Sequence, residues 1–244
     1  MVSLKIKGNL ITAVFGLGVF AILVTQAQAV VISPIHLEMS VKKPVTSFTV
    51  TNESDQIVTY QLNTLSWVQV DGKDNYIEAN ELVVTPPIVS IKPKSSQTFR
   101  VALFKASSHR VEQSYRIILD DISTYVSDES KTGLTFIFNH NLPLFYAPLA
   151  SVDSVVWSIC ESDVVGKSCL LMQNKGNRHA KMVKFSAVSA TKEEPNNQAK
   201  TVLAGSSGKW LFSTMQGTEN TTSIKLITST GPLILLLKNL PSSN

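Results

Sequence analysis

Four histidines are the residues of this 244-residue chain best suited to bind a metal or to move protons. They are His36, His109, His140 and His179, and no two of them form an H-x-H or H-x-x-x-H pair. Metal-ligand sets usually leave such a spacing in the sequence. The sequence therefore predicts no metal site and no cofactor.

The other residues that could perform catalysis are equally isolated. Asp120 and Asp121 are adjacent on a predicted strand, where successive side chains point to opposite faces, so the two carboxylates cannot act as one acid–base pair. The chain contains no G-x-S-x-G motif and no glycine-rich phosphate loop. We therefore predict that the protein is not an enzyme.

The two cysteines, Cys160 and Cys169, lie close together in the second half of the chain. In an exported protein such a pair is more often a disulfide than a metal site. Export is indicated by residues 1–29, which combine Lys5 and Lys7, an apolar stretch, and the A-x-A pattern that ends at Ala29. The apolar stretch is short for a membrane span, which needs about 20 residues. We predict a signal peptide cleaved after Ala29 and a disulfide in the mature protein.

The charge of the chain gives no sign of a nucleic-acid partner. The formal charge of +4 includes both lysines of the predicted signal peptide, so the mature protein carries +2. Nucleic-acid binding needs a clustered basic face. The basic residues at 42–43, 92–94 and 178–181 form short, scattered sets, which we interpret as solvated loops.

The mature chain is long enough for two domains, and its pattern is that of short strands separated by polar turns. A change in composition near Pro148 divides it into 30–148 and 149–244, and each half is predicted to be a β-sandwich. Strands are predicted in the first half at 32–39, 45–52, 58–70, 82–85, 88–91, 97–104, 115–122 and 134–146. In the second half they are predicted at 155–159, 170–173, 181–191, 210–213, 224–229 and 233–237, with a loop at 192–200.

The last predicted strand of the first half is long and has large apolar side chains on one face. Leu134, Phe136 and Phe138 alternate with smaller or more polar residues, and the strand continues to Tyr146. Alternation alone is typical of an ordinary core strand. The alternative is an edge strand that a partner covers, because a long apolar edge is otherwise an aggregation hazard.

Several motifs, in order along the chain, resemble the periplasmic pilus-assembly chaperones of the chaperone–usher pathway, and most closely their archaic branch. They are Ile32-Ser33-Pro34, Val50-Thr51-Asn52, Val84-Thr85-Pro86-Pro87, residues 91–100, residues 112–119, Leu142-Pro143-Leu144-Phe145-Tyr146-Ala147-Pro148 and residues 174–181. Single pieces are weak evidence. Their shared order, behind a signal peptide, is the specific feature.

The resemblance implies two immunoglobulin-like β-sandwich domains in an L or boomerang arrangement, located in the periplasm. It implies that the last strand of the first domain completes the fold of a pilus subunit, with Leu134, Phe136 and Phe138 entering the subunit's groove. It also implies that the subunit's C-terminal carboxylate docks in the cleft between the domains. The expected partners are pilus subunits and an outer-membrane usher.

The sequence departs from this family where the carboxylate should be held. By position, the family's arginine and lysine correspond here to Ile35 and Pro143, and an arginine that usually follows the F-Y pair is replaced by Ala147. We take Arg116 as the candidate for the anchor and His36 as a more distant one. The alternative for Arg116 is a structural salt bridge, for example to Glu112 or Asp120.

A second function remains open at this level, namely an exported two-domain adhesin or a pilus subunit. A tip adhesin should have a subunit-like extension before its first strand, whereas here the first predicted strand begins near the cleavage site. The sequence does not identify the client subunit or the usher. It also leaves open whether the free protein self-associates.

Overall fold

The computed structural model describes residues 30–104, 109–123, 139–213 and 221–241. Their regular secondary structure is β-strand apart from one short 3-10 helix, and the strands form four sheets. Within the described part of the chain, no helix is long and apolar enough to cross a membrane. The predicted all-β fold with two sandwiches is confirmed.

The first sandwich contains ten strands. They are β1 (Val30–Ser33), β2 (Leu37–Met39), β3 (Val45–Asn52), β4 (Val58–Val70), β5 (Lys73–Glu78), β6 (Leu82–Thr85), β7 (Ile88–Ile91), β8 (Ser95–Leu103), β9 (Gln113–Asp121) and β10 (His140–Tyr146). One sheet has the order β1-β3-β8-β6, and the other has the order β2-β10-β9-β4-β5 with β7 also paired to β4. All pairs are antiparallel except β2 with β10, which is parallel.

The core of the first sandwich follows from the alternation of its strands. Tyr115 and Ile117 of β9 and Leu142 and Leu144 of β10 are buried between the two sheets. Successive side chains of a strand point to opposite faces. The intervening residues of β9 and β10, which include Arg116, therefore lie on the outer face of the second sheet.

The second sandwich follows the same plan with smaller sheets. Its strands are β11 (Val155–Cys160), β12 (Lys167–Asn174), β13 (Ala180–Val188), β14 (Glu193–Asn196), β15 (Lys200–Val202), β16 (Ser207–Ser213), β17 (Ser223–Thr228) and β18 (Gly231–Leu236), followed by a short 3-10 helix at Leu237–Asn239. The sheets have the orders β11-β12-β16 and β14-β13-β17-β18, with β15 also paired to β13. Trp157, Trp210, Phe185 and Met172 contribute to the core between them.

The structure differs from the predicted strands in three places. Strand β5 (Lys73–Glu78) was not predicted, because residues 71–74 were interpreted as a turn. The strand predicted at 32–39 is two strands, β1 and β2, which belong to different sheets and are separated by Pro34, a residue without a backbone N–H. The loop predicted at 192–200 contains β14 and the start of β15. Strand β14 buries little apolar surface, and both strands are specified by pairing with β13, which composition cannot predict.

The boundary predicted between residues 148 and 149 falls in the segment between β10 and β11. Residues 1–29, the predicted signal peptide, lie outside the described residues.

Candidate functional site

One face of the first sandwich carries the charged and aromatic side chains that the sequence singled out. We call it the junction face: the outer face of the sheet β2-β10-β9-β4-β5 at His36, Trp67, Arg116, Pro143 and Phe145. Pro143 is the register partner of Arg116 across β10 and β9. His36 directly precedes Leu37, which is level with Leu144, so His36 lies beside Pro143.

The junction face therefore brings both predicted anchor candidates into one row. The row runs His36, Pro143, Arg116 across three neighbouring segments of the sheet, which are spaced about 4.8 Å apart. His36 occupies the first of these positions, and its ring lies 5.2 Å from the ring of Phe145 on the same face. Ile35, which corresponds by position to the family's arginine, directly precedes it.

Among the residues that the structure describes, no carboxylate forms an ion pair with the Arg116 guanidinium. Its guanidinium carbon lies 3.7 Å above the ring of Trp67, and its Nε is buried with no hydrogen-bond partner there. Burial lowers the pKa of the Arg116 guanidinium, and the nearby Tyr76 and Asp74 oppose that shift. Arginine nevertheless stays charged, because its pKa is far above neutrality.

The salt bridges considered for Arg116 from sequence are not formed. Asp120 accepts a hydrogen bond from Asn63 Nδ2 at 2.8 Å, and Glu112 binds residues of the second domain. Arg116 is therefore a stacked cation rather than one half of an ion pair.

Trp67 is held in place by both domains. It is buried with Phe145 and with Leu203 of the second domain, and its Nε1 donates a 3.0 Å hydrogen bond to Asp74 Oδ1. Gln69 donates to the same Asp74 oxygen at 2.8 Å and to the carbonyl of Thr201, while its own Oε1 accepts from Leu203 N at 2.9 Å. The contact between the domains thus passes directly under the Arg116 guanidinium.

A second set of charges links the domains beside this stack. Glu112 is buried. Its Oε1 accepts a 2.8 Å hydrogen bond from the backbone N–H of His179 and also lies 2.7 Å from Nδ1 of the His179 ring. Arg178 Nε lies 3.6 Å from the other oxygen of Glu112. The His179 ring stacks on Phe145 with 3.7 Å between ring centroids.

The sequence analysis missed this link, because it interpreted residues 178–181 as a solvated loop. The available signal was the family-like stretch 174–181, whose first residue, Asn174, is buried and donates hydrogen bonds to the carbonyls of Arg178, Val202 and Leu203. A turn with a buried asparagine at its base is fixed in shape, so the charges that follow it have fixed positions.

A cleft of about 540 Å³ opens next to His36. The first domain contributes His36 and Glu38 to its lining, and the second contributes apolar side chains together with Arg178, Lys181 and Asp153. The cleft is thus lined by both domains and has charges of both signs at its rim.

Strand β10 has an open edge beside this cleft. It pairs with β9 from His140 to Tyr146, whereas β2 pairs only with Leu144, Phe145 and Tyr146 on the other side. Among the described residues, no strand covers the β2 side of residues 140–143. The predicted donor residues Leu134, Phe136 and Phe138 lie just before this segment, outside the described residues.

The disulfide predicted in the second domain is present. Cys160 and Cys169 are cross-strand partners on β11 and β12, and both are buried. No group of three or more potential metal ligands occurs within the described residues.

Residues 29–151, about half of the chain, match the family described as pili and flagellar-assembly chaperone, PapD N-terminal domain. The chain belongs to this chaperone family. The resemblance to pilus-assembly chaperones that the sequence indicated is therefore confirmed. Membership of this family favours a chaperone over the adhesin considered from sequence. Among curated proteins, none matches the chain significantly.

Solved structures match the chaperone over both domains. A chain of the CsuC–CsuE chaperone–tip subunit pre-assembly complex, from archaic chaperone–usher Csu pili of Acinetobacter baumannii, has a TM-score of 0.65 at 20% identity, with 88% of this chain and 100% of that chain covered. A chain of the Salmonella enterica SafA pilin–SafB chaperone complex gives 0.61 at 13%, covering 87% and 98%. The E. coli chaperone DraB gives 0.59 at 17%, covering 86% and 97%. These likenesses establish the shared fold.

Proposed function

We propose that the protein is a periplasmic chaperone of the archaic chaperone–usher type, which holds pilus subunits through the edge of β10 and passes them to an outer-membrane usher. Family membership supports the chaperone role. The signal-like residues 1–29 and the disulfide support export. The likeness to a chain of the archaic Csu complex supports assignment to the archaic branch of the family. The observation that carries the mechanism is the open edge of β10.

An open edge offers backbone N–H and C=O groups to a partner strand. A subunit strand that adds there gains main-chain hydrogen bonds, while its alternate side chains give specificity. Residues 140–143 are the described part of this edge. We propose that the edge continues through Leu134, Phe136 and Phe138, which have the same parity as the core residues Leu142 and Leu144.

The three proposed donor side chains supply the apolar part of the binding energy. Complete burial of one leucine or phenylalanine side chain contributes roughly 1.5–3 kcal/mol. Three of them contribute about 5–9 kcal/mol before the costs of association are subtracted. Main-chain hydrogen bonds along the added strand contribute the rest, and a better-fitting strand from the next subunit can replace the chaperone without nucleotide hydrolysis.

The position of β2 determines where a bound strand would end. A strand that continues β2 backwards along β10, in the same parallel direction, has its C-terminus beside His36. Its carboxylate would then lie over the ring of Pro143, between His36 and Arg116. An arginine binds a carboxylate through two parallel hydrogen bonds, so we propose Arg116 as the anchor, with His36 on the other side.

The test is a pull-down of the mature protein from periplasm. We expect a small β-rich subunit to co-purify in roughly equal amount with the wild type. Phe136→Ser should remain folded and lose the subunit, whereas the matched control Thr135→Ser, one position along the same segment, should keep it. Arg116→Gln should lower recovery through loss of the carboxylate contact. Recovery of normal amounts of subunit by a folded Phe136→Ser protein would contradict the donor role.

The same edge can pair with a second copy when no subunit is bound. Sedimentation velocity of the free protein measures this directly. We expect Phe136→Ser to shift any dimer toward monomer, because the pairing would use the same apolar face. A dimer unaffected by this substitution would use another surface.

A further inference from the structure

Arg116 lies over Trp67 and forms no ion pair among the described residues. Its guanidinium carbon is 3.7 Å from the centroid of the indole ring. A cation–π contact uses the ring face and the positive charge, and it leaves the guanidinium N–H groups free to bind a carboxylate. Contact with Trp67 therefore restricts the long side chain without using its donors.

The groups around Trp67 also bind the carboxylate of Asp74. Asp74 Oδ1 already accepts hydrogen bonds from Trp67 Nε1 at 3.0 Å and from Gln69 Nε2 at 2.8 Å. Tyr76 donates a longer hydrogen bond, 3.4 Å, to the second oxygen. Both oxygens of Asp74 thus have neutral donors, and among the described residues Asp74 forms no ion pair with Arg116, although its charge favours the protonated guanidinium.

The second domain packs against Trp67 and the neighbouring Gln69. Leu203 packs in the cluster with Trp67 and Phe145, and the backbone around it exchanges two hydrogen bonds with Gln69. The β4–β5 hairpin reaches the second domain again at Gly72, whose carbonyl accepts a 3.0 Å hydrogen bond from Lys200 Nζ. Gly72 has φ +72°, and a side chain there would come within 3.1 Å of the Ser207 carbonyl. The hairpin that carries Trp67 therefore fits closely against strands of the second domain.

We propose that Trp67 is the positioning residue of the carboxylate anchor, and that the second domain, through Leu203 and its contacts with Gln69, keeps Trp67 under Arg116. This inference rests on the proposed role of Arg116. It assigns the second domain a part in recognising the subunit's C-terminus, although within the described ranges no residue of that domain forms a hydrogen bond or ion pair with the guanidinium. Leu203 and Gln69 act through Trp67, and Trp67 acts through Arg116.

The test measures preference for a free carboxylate rather than binding alone. The probes are two fluorescein-labelled twelve-residue peptides that alternate valine and serine, identical except for a C-terminal carboxylate or a C-terminal amide. Their affinities for the mature, full-length chaperone are compared by anisotropy. We expect the wild type to bind the acid at least roughly 30-fold more tightly than the amide, in line with loss of a charged hydrogen-bond pair.

Trp67→Leu should reduce the acid preference by roughly 3- to 30-fold, the range of a cation–π contact, while the affinity for the amide stays the same. Trp67→Phe keeps an aromatic face and should restore most of the preference. Leu203→Ala should reduce the preference less than Trp67→Leu does, because it only loosens the support. If the role of Trp67 were merely structural, Trp67→Leu would lower the affinity for both peptides equally.

The outcomes separate this inference from the anchor itself. If Arg116→Gln keeps the acid preference, the anchor is elsewhere and the proposed role of Arg116 fails, and the positioning inference fails with it. If Arg116→Gln loses the preference while Trp67→Leu keeps it, the anchor stands and the positioning inference is wrong. If Trp67→Leu does not fold, Leu203→Ala and Trp67→Phe decide the question, and an unchanged preference in Leu203→Ala overturns the role of the second domain.

Discussion

Glu112 and Arg116 are four residues apart in the first domain and have different surroundings. Glu112 is buried against the second domain: its Oε1 receives two contacts from His179, and its Oε2 has no hydrogen bond but lies 3.6 Å from Arg178 Nε. Arg116 lies over Trp67, and neither a hydrogen bond to its buried Nε nor an ion pair is formed among the described residues. The charge of Glu112 is thus paired with cations of the second domain, whereas the charge of Arg116 has no such pair.

This difference separates stability from binding on a single sheet face. A buried charge needs a partner, and one that has several fixes the groups around it. A partly buried charge without a partner costs stability, and proteins retain such groups mainly where function requires them. We therefore expect substitutions at Glu112 to affect folding, and substitutions at Arg116 to affect binding.

The largest effect is expected for Glu112→Ala. It removes the acceptor of the His179 contacts and leaves Arg178 without its buried partner, so the free energy of unfolding should fall by about 3–5 kcal/mol, the range for breaking a buried pair. Glu112→Gln retains one acceptor and should cost less. Urea denaturation measures both. A Glu112→Ala protein within about 1 kcal/mol of the wild type would mean that the link contributes little.

The disulfide should have the next largest effect, and it should be confined to the second domain. The loop closed by Cys160 and Cys169 has a sequence separation of 9, which gives about 2.5–3 kcal/mol in the chain-entropy account. Replacing both cysteines by alanine should lower the midpoint of unfolding of the second domain. Near-ultraviolet signals of Trp157 and Trp210 report on that domain. Free thiols in the native protein, detected by mass spectrometry without reductant, would contradict the prediction.

Arg116→Leu should change the free energy of unfolding by less than about 1 kcal/mol, because a lost cation–π contact is offset by removal of a desolvated charge. The comparison with Glu112→Ala is the informative measurement. If Arg116→Leu is the more destabilising of the two, Arg116 is a structural residue and the division between the two charges is wrong.

Sequence alone predicted the parts of this molecule that depend on local pattern. The alternation at β4, β6 and β7 gave strands with the observed bounds, and the cysteine pair gave the disulfide. The pairing of strands could not be predicted from sequence, because the register that puts His36 beside Pro143 is set by tertiary contacts. For the same reason, Trp67 was assigned to a strand but not recognised as the support of Arg116.

The link through Arg178 and His179 could not be derived from residue types. A basic residue in a polar turn is usually solvated, and the sequence has no signal for the buried carboxylate that it meets. The contact joins residues 67 positions apart and belonging to different domains. Charges whose partners lie in another domain are therefore the least predictable part of such a site.

The smallest expected effect concerns His140, the first residue of β10 and part of the proposed donor edge. Burial lowers the pKa of the His140 imidazole, and the carboxylate of Asp121 opposes that shift. The unfolded chain therefore takes up a proton more readily than the folded protein does, starting from an ordinary pKa of about 6.5. Above that pH the residue has no effect on stability, and as the pH falls below it, protonation favours the unfolded chain.

We therefore expect the melting temperature to fall between about pH 7.5 and about pH 5.5, and to fall less in His140→Gln, which cannot be protonated. The measurement compares the two slopes, so contributions from all other groups cancel. The ring of His140 lies 6.1 Å from that of Tyr60 in the core, which explains how one end of an open edge can be buried enough to shift. An equal or steeper slope in His140→Gln would show that this end of β10 is solvated in the free protein. The proposed donor edge would then be held less firmly than the junction face at its other end.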